Sequence, residues 1–131
     1  MSQQNELLDC DESLIDSVLT AATRVHQTLG PGLLESVYEL ALMKELSING
    51  VSVKHQVPVP AFYRGEELGL GFRADIIVEN SLLLELKCVE QLSGIHLAQV
   101  MTYLKLLKFK RGFLLNFSQP LMKNGIKRVS I

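Results

Sequence analysis

The run Gly71-Phe72-Arg73-Ala74-Asp75-Ile76-Ile77-Val78-Glu79-Asn80-Ser81-Leu82-Leu83-Leu84-Glu85-Leu86-Lys87 decides how this chain folds. It reads as two β-strands joined by a tight turn at Glu79-Asn80-Ser81. Alternation predicts Phe72, Ala74, Ile76 and Val78 on one face of the first strand, with Arg73, Asp75, Ile77 and Glu79 on the other. In the second strand Leu82, Leu84, Leu86 and Cys88 share a face, and Leu83, Glu85 and Lys87 share the opposite one. A turn of odd length centred on Asn80 sets Asp75 directly opposite Glu85, with Lys87 beside them.

Two adjacent carboxylates repel, and a sheet gains nothing from them. A divalent cation removes the repulsion, and oxygen ligands of this kind suit Mg²⁺ or Mn²⁺. An ammonium at Lys87 could hold a scissile phosphate or help a water attack it. The competing reading of the same spacing is a lattice of surface ion pairs on a solvated sheet face.

Asp75, nine intervening residues and then Glu85-Leu86-Lys87 resembles the D…ExK signature of the PD-(D/E)XK nuclease superfamily. Gly32-Leu33-Leu34-Glu35-Ser36-Val37-Tyr38 resembles the motif that names the small bacterial GxxExxY proteins within that superfamily. The similarity runs from about Leu14 to the C-terminus. Ala74 stands where the superfamily name has proline, a residue that binds no metal. The resemblance implies a metal-dependent nuclease. Asp75, Glu85 and the backbone carbonyl of Leu86 would hold Mg²⁺ or Mn²⁺, Glu35 would be a further ligand directly or through water, and Lys87 would orient the attacking water.

With 131 residues the chain suits one domain, and 47% hydrophobic residues support a real core. No run approaches the ~20 apolar residues of a membrane span. Met1 to Asp9 is polar and acidic, unlike a signal peptide. Cys10 and Cys88, the only cysteines, suggest neither a disulfide scaffold nor a zinc site, so a reducing cytoplasm is expected. The net charge of −1 hides an asymmetry, because Glu90 is the only acidic residue after Glu85. Lys105, Lys108, Lys110, Arg111, Lys123, Lys127 and Arg128 could form a basic rim that meets phosphate, or serve as solubilising charge.

Around the central hairpin the chain reads as helix, helix, strand, hairpin, helix, strand and a short edge strand. Residues 1–10 are expected as a flexible tail and 11–131 as one domain. Asp11 or Ser13 caps a helix reaching Leu29, whose apolar stripe runs from Leu14 to Leu29. His26 beside that stripe reads as a half-buried structural histidine. Gly30-Pro31-Gly32 breaks the chain before a second helix, about Leu33 to Ser47, which is apolar nearly all round and expected to be largely buried. Glu35 lies in its first turn, where the helix dipole favours a carboxylate, or points at the metal. Glu39, one turn on, points at the metal site as well or, as is favoured for it, is ordinary helix surface. Tyr38 either hydrogen-bonds into the site or packs. Val51 to Phe62 is a strand that Pro58 and Pro60 push to an edge or bulge, and Gln56 on its polar side could face the site.

Ser93 caps a third helix reaching about Phe109, with Leu97, Val100, Met101, Leu104 and Leu107 as its core stripe. His96, Gln99 and Tyr103 share another face. Gln99 and Tyr103 resemble the Gln-x-x-x-Tyr helix of lambda-exonuclease-like branches, which implies that they support the site. Arg73 could contact phosphate or neutralise the carboxylates.

The expected architecture is an α/β (α+β mixed sheet) fold, a restriction-endonuclease-like αβββαβ core with one helix added in front. The expected function is hydrolysis of phosphodiester bonds in DNA or RNA. The alternative is a nuclease-fold module that binds nucleic acid or protein without cutting. A homodimer or larger assembly, and no membrane, complete the expectation.

Overall fold

In the computed structural model, which describes residues 6–131, the Asp11 side chain accepts the Leu14 N–H at 2.9 Å and starts helix α1, Glu12–Leu29. Ile15, Val18, Ala22 and Val25 form its buried stripe, while Leu29 at its end is exposed. His26 turns inward, with Nε2 2.7 Å from the Gln119 carbonyl. Gly30 ends α1 at φ +74°.

Helix α2, Glu35–Ile48, packs through Tyr38, Glu39, Leu42 and Leu46. It is not largely buried, as its sequence suggested. Leu34 is 74% and Leu40 60% exposed, and Leu33, Val37 and Ile48 are exposed with them. The reason is geometric: α1 and the sheet cover one side of α2, and among the described residues no further layer covers the other.

Five strands follow in spatial order β1-β2-β3-β4-β5. They are β1 Val53–Tyr63, β2 Glu66–Val78, β3 Leu82–Lys87, β4 Arg111–Asn116 and β5 Ile126–Ser130. Helix α3, Gly94–Leu107, connects β3 to β4, which run parallel, while every other pair is antiparallel. The mixed sheet and three helices give the α+β architecture expected.

The sheet separates two apolar layers. Ile76, Val78, Leu82, Leu84 and Leu86 face α1 and α2. Phe72, Ala74, Ile77 and Leu83 lie in the layer with Val100 and Leu104 of α3. Phe72, Ala74, Ile76 and Val78 therefore do not share one face. The alternation slips at Asp75, where the β1–β2 ladder passes from His55–Ile76 to Val57–Ala74 and skips Gln56, which is at φ +51°. Bulges at Val59/Pro60 and Ala61/Phe62 mark the region of the prolines in edge strand β1.

Two further expectations change. Met101 is exposed, because the core side of α3 runs through Val100 and Leu104, with Leu97 and Leu107 packed partly buried beside them. Of the stretch expected as a tail, residues 1–5 lie outside the described residues. Leu8 bridges to Phe109, with Leu8 N 2.9 Å from the Lys108 carbonyl and Lys110 N 2.7 Å from that of Leu8. Among the described residues no helix is long and apolar enough to cross a membrane.

Candidate active site

The site lies where β2 and β3 part. Their ladder pairs Val78, Ile77 and Ile76 with Leu82, Leu83 and Leu84 and goes no further. Ser81 N closes the turn on the Val78 carbonyl at 3.0 Å, and Glu79 and Asn80 both take positive φ. Beyond Leu84 side chains replace the ladder. Asp75 N donates to Glu85 Oε2 at 2.9 Å, and Leu86 N donates to Asp75 Oδ2 at 2.8 Å. The two carboxylates thus stand across from each other, each bound to the other strand's backbone. On its far side β3 stays paired with β4 as far as Lys87–Asn116, so only one edge is open.

This is not a solvated lattice of charges. Glu85 is 4% exposed and Asp75 is half-buried. Among the described residues neither belongs to an ion pair. Burial first, and the Asp75 charge second, push the Glu85 carboxyl up to about 8. Burial also raises Asp75; the Leu86 N–H acts against it, and the Glu39 charge acts with it. Lys87 draws both carboxyls down, and its Nζ donates to Gln99 Oε1 at 3.3 Å.

Gln99 and Tyr103 close the α3 side. The Tyr103 ring stacks on Phe72 at 3.7 Å between centroids. Burial, then the charges of Glu85 and Asp75, raise the Tyr103 hydroxyl, while a hydrogen bond with Gln99 lowers it. His96, read on the same face, is occupied elsewhere: its Nδ1 accepts the Ser93 N–H at 3.1 Å in a capping box.

Glu35 stands exposed at the mouth on the α2 side. Its carboxyl is raised by partial burial and then by Asp75, and lowered by Lys87. Tyr38 does not reach the carboxylates. It is fully buried, stacked on Phe117 at 4.6 Å, donates to the Gly30 carbonyl and accepts the Leu33 N–H at 3.1 Å. It ties down the turn that delivers Glu35. Arg73 is exposed and has no ion pair among the described residues.

Glu39 does not lie on the helix surface that its sequence position favours. It is buried, and it accepts Gln56 Nε2 on both oxygens, at 3.0 and 3.1 Å. The same Nε2 is 3.4 Å from Asp75 Oδ1, and His55 Nδ1 is 3.1 Å from Glu39 Oε2. The polar run His55-Gln56 beside an apolar helix was the available signal. Asn116, also missed, is buried and holds the loop after Lys87, donating to the Val89 carbonyl at 2.8 Å and accepting Val89 N at 3.1 Å.

Two members of the expected basic rim, Arg111 and Arg128, are engaged away from the site. Arg111 and Arg128 converge on Glu12, each at 2.6 Å, and Arg111 also meets Asp9 at 3.0 Å. Arg111 is paired with Leu82, at the end of β3 opposite Lys87.

The donors at the open end are hard oxygens on a poorly compensated buried carboxylate, which a small divalent cation suits. Among the described residues no three His, Cys, Asp or Glu side chains gather closely enough to enclose an ion.

A mixed sheet opened by facing carboxylates, with a lysine two residues beyond, defines a nuclease-like class of fold and site. The chain belongs to the PD-(D/E)XK nuclease superfamily, which it matches over residues 12–129. Comparisons with curated proteins and with solved structures return no match.

Proposed function

We propose that this chain is a metal-dependent nuclease of the GxxExxY kind, hydrolysing phosphodiester bonds of nucleic acid in the cytoplasm. One observation carries the reading: a nearly fully buried glutamate, facing an aspartate across an opened ladder, with neither in an ion pair among the described residues. A protein that needed only a stable sheet would place apolar residues there. Asp75, Glu85 and the Leu86 carbonyl would hold Mg²⁺ or Mn²⁺, with Glu35 as a further ligand directly or through water. The ion, when bound, supplies Lewis-acid stabilisation of the phosphate oxygens.

Lys87 reaches the space beside the carboxylates, orients the attacking water and offsets charge on the phosphate. Gln99 keeps the ammonium in place through its 3.3 Å hydrogen bond. Tyr103 and Phe72 form the stacked wall behind it, and Arg73 meets the nucleic-acid backbone from the exposed face. The free cysteines Cys10 and Cys88 suit a reducing compartment. The exposed apolar side of α2 supports assembly with a second copy or a larger complex.

Calorimetric titration with Mn²⁺ tests the reading. Wild type is expected to bind and Glu85→Ala not to. Cleavage of DNA or RNA is expected to fall with Lys87→Ala while Mn²⁺ binding persists. Equal Mn²⁺ binding by wild type and Glu85→Ala would overturn the site. Nucleic-acid binding that survives Glu85→Ala, without cleavage by wild type, would assign a binding module instead.

A further inference from the structure

The carboxylates explain one oxygen of Asp75 and leave the other. Asp75 Oδ2 is fixed by the Leu86 N–H at 2.8 Å. Oδ1 faces the Gln56 amide at 3.4 Å, and that amide is itself held by both oxygens of Glu39. We propose that Glu39, acting through Gln56, is a positioning residue that sets the orientation of the Asp75 carboxylate. Helix α2 thereby serves the site through a second arm besides Glu35. The idea rests on the nuclease reading only for its metal-binding arm.

The backbone argues that this bridge is built for a purpose. Gln56 takes φ +51° in the middle of a strand, a conformation that costs a residue other than glycine on the order of 1 kcal/mol or more. The ladder pairs on either side, His55–Ile76 and Val57–Ala74, remain in register, so the distortion is confined to Gln56 and the Asp75 it would have paired with. It leaves the Gln56 side chain between Glu39 and Asp75. A neutral double donor is the right group between two carboxylates: it hydrogen-bonds both and adds no charge. Glu39 is 7% exposed, its other partner is His55 Nδ1 at 3.1 Å, and among the described residues no lysine or arginine pairs with it. A buried carboxylate satisfied only by an amide and an imidazole acts as a rigid acceptor.

A purely structural strut between α2 and β1 would show the same hydrogen bonds, so the test reads Asp75 itself. Without Asp75 held in place the Leu86 amide loses its acceptor. Amide hydrogen exchange at Leu86 is therefore measured in the metal-free protein, with the Leu84 amide on the same strand as internal control. Gln56→Met keeps the length and removes the donors. Glu39→Gln keeps the shape and removes the charge. Both are expected to speed exchange at Leu86 but not at Leu84, Gln56→Met more strongly. The double variant is expected to match Gln56→Met alone, since Glu39 acts through the amide.

Mn²⁺ affinity is expected to fall roughly 10–100-fold in Gln56→Met, the usual scale for a group that orients a ligand. Exchange that rises equally at Leu86 and Leu84, or at neither, overturns the proposal in favour of a strut. A wild type that binds no Mn²⁺ overturns the metal reading, and the exchange comparison still decides whether Glu39 positions Asp75.

Discussion

Glu12 and Glu85 are the same side chain in opposite surroundings. Glu12 is exposed, gripped by Arg128 and Arg111, and hydrogen bonds from both hold its carboxyl down at about 2. Glu85 is buried, lies against Asp75, and its carboxyl is pushed up to about 8. At the Glu12 end the protein matches charge with charge and closes its surface. At the Glu85 end it buries a carboxyl group against Asp75 and, among the described residues, forms no ion pair there, an arrangement that costs stability whenever the group is charged.

The largest effect expected is at Glu85. Glu85→Gln should abolish Mn²⁺ binding in calorimetry, yet raise the melting temperature at pH 8 by roughly 5–10 °C. The sign follows from linkage. Between the ordinary carboxyl value of 4.5 and about 8, the folded state keeps a proton that the unfolded state releases, so wild-type stability falls as pH rises through that window. The full penalty is on the order of a few kcal/mol. The gain in Glu85→Gln should therefore vanish by pH 4. A variant less stable than wild type at pH 8 would break the comparison.

Glu12 should behave in reverse. Its folded value lies below 4.5, so its contribution is present above pH 4.5 and disappears as pH falls through about 2. Glu12→Gln should lower the melting temperature at pH 7, merge with wild type near pH 2, and leave Mn²⁺ binding intact. Loss of Mn²⁺ binding in this variant would show that the two ends are not independent.

Gly125→Ala comes next. An added Cβ would collide with the backbone carbonyl of Asn116, whose side chain holds the loop following Lys87. A loss of about 1–3 kcal/mol in denaturant unfolding is expected. Smallest is Tyr38→Phe, which removes the hydroxyl bridging Gly30 and Leu33 and should cost about 1 kcal/mol. If it also weakens cleavage while Mn²⁺ affinity holds, the turn before Glu35 matters to substrate rather than to the ion.

The order of elements and the facing of Asp75 and Glu85 were legible because they depend on period-two alternation and on turn length. Asp11 as cap and the prolines as edge markers were legible through local chemistry. What escaped depends on tertiary placement. α2 carries apolar residues nearly all round, and only the packing of α1 and the sheet shows which side stays open. Glu39 looked like helix surface because nothing local reveals that Gln56, 17 positions on, turns back to meet it. The slip of face at Asp75 has the same origin, since a left-handed glutamine leaves no mark on the alternation around it. Arg111 and Arg128 could not be set apart from the other basic residues in advance, because charge counted along a chain does not reveal that Glu12 and Asp9 will meet them.

The place of β3 also bears on how the protein is made. Its residues Leu82 to Leu86 are fully buried apart from Glu85, at 4% exposed, yet one of its two neighbours, β4, follows only after α3. A chain emerging from the ribosome through residue 93 holds a three-stranded sheet whose most apolar strand is a raw edge, the kind that recruits other strands. Helix α3 and β4 must arrive promptly to cap it. The exposed-edge stage is the one in which β3 has left the ribosome and β4 has not, and chaperone engagement is expected to peak on nascent chains stalled at that stage.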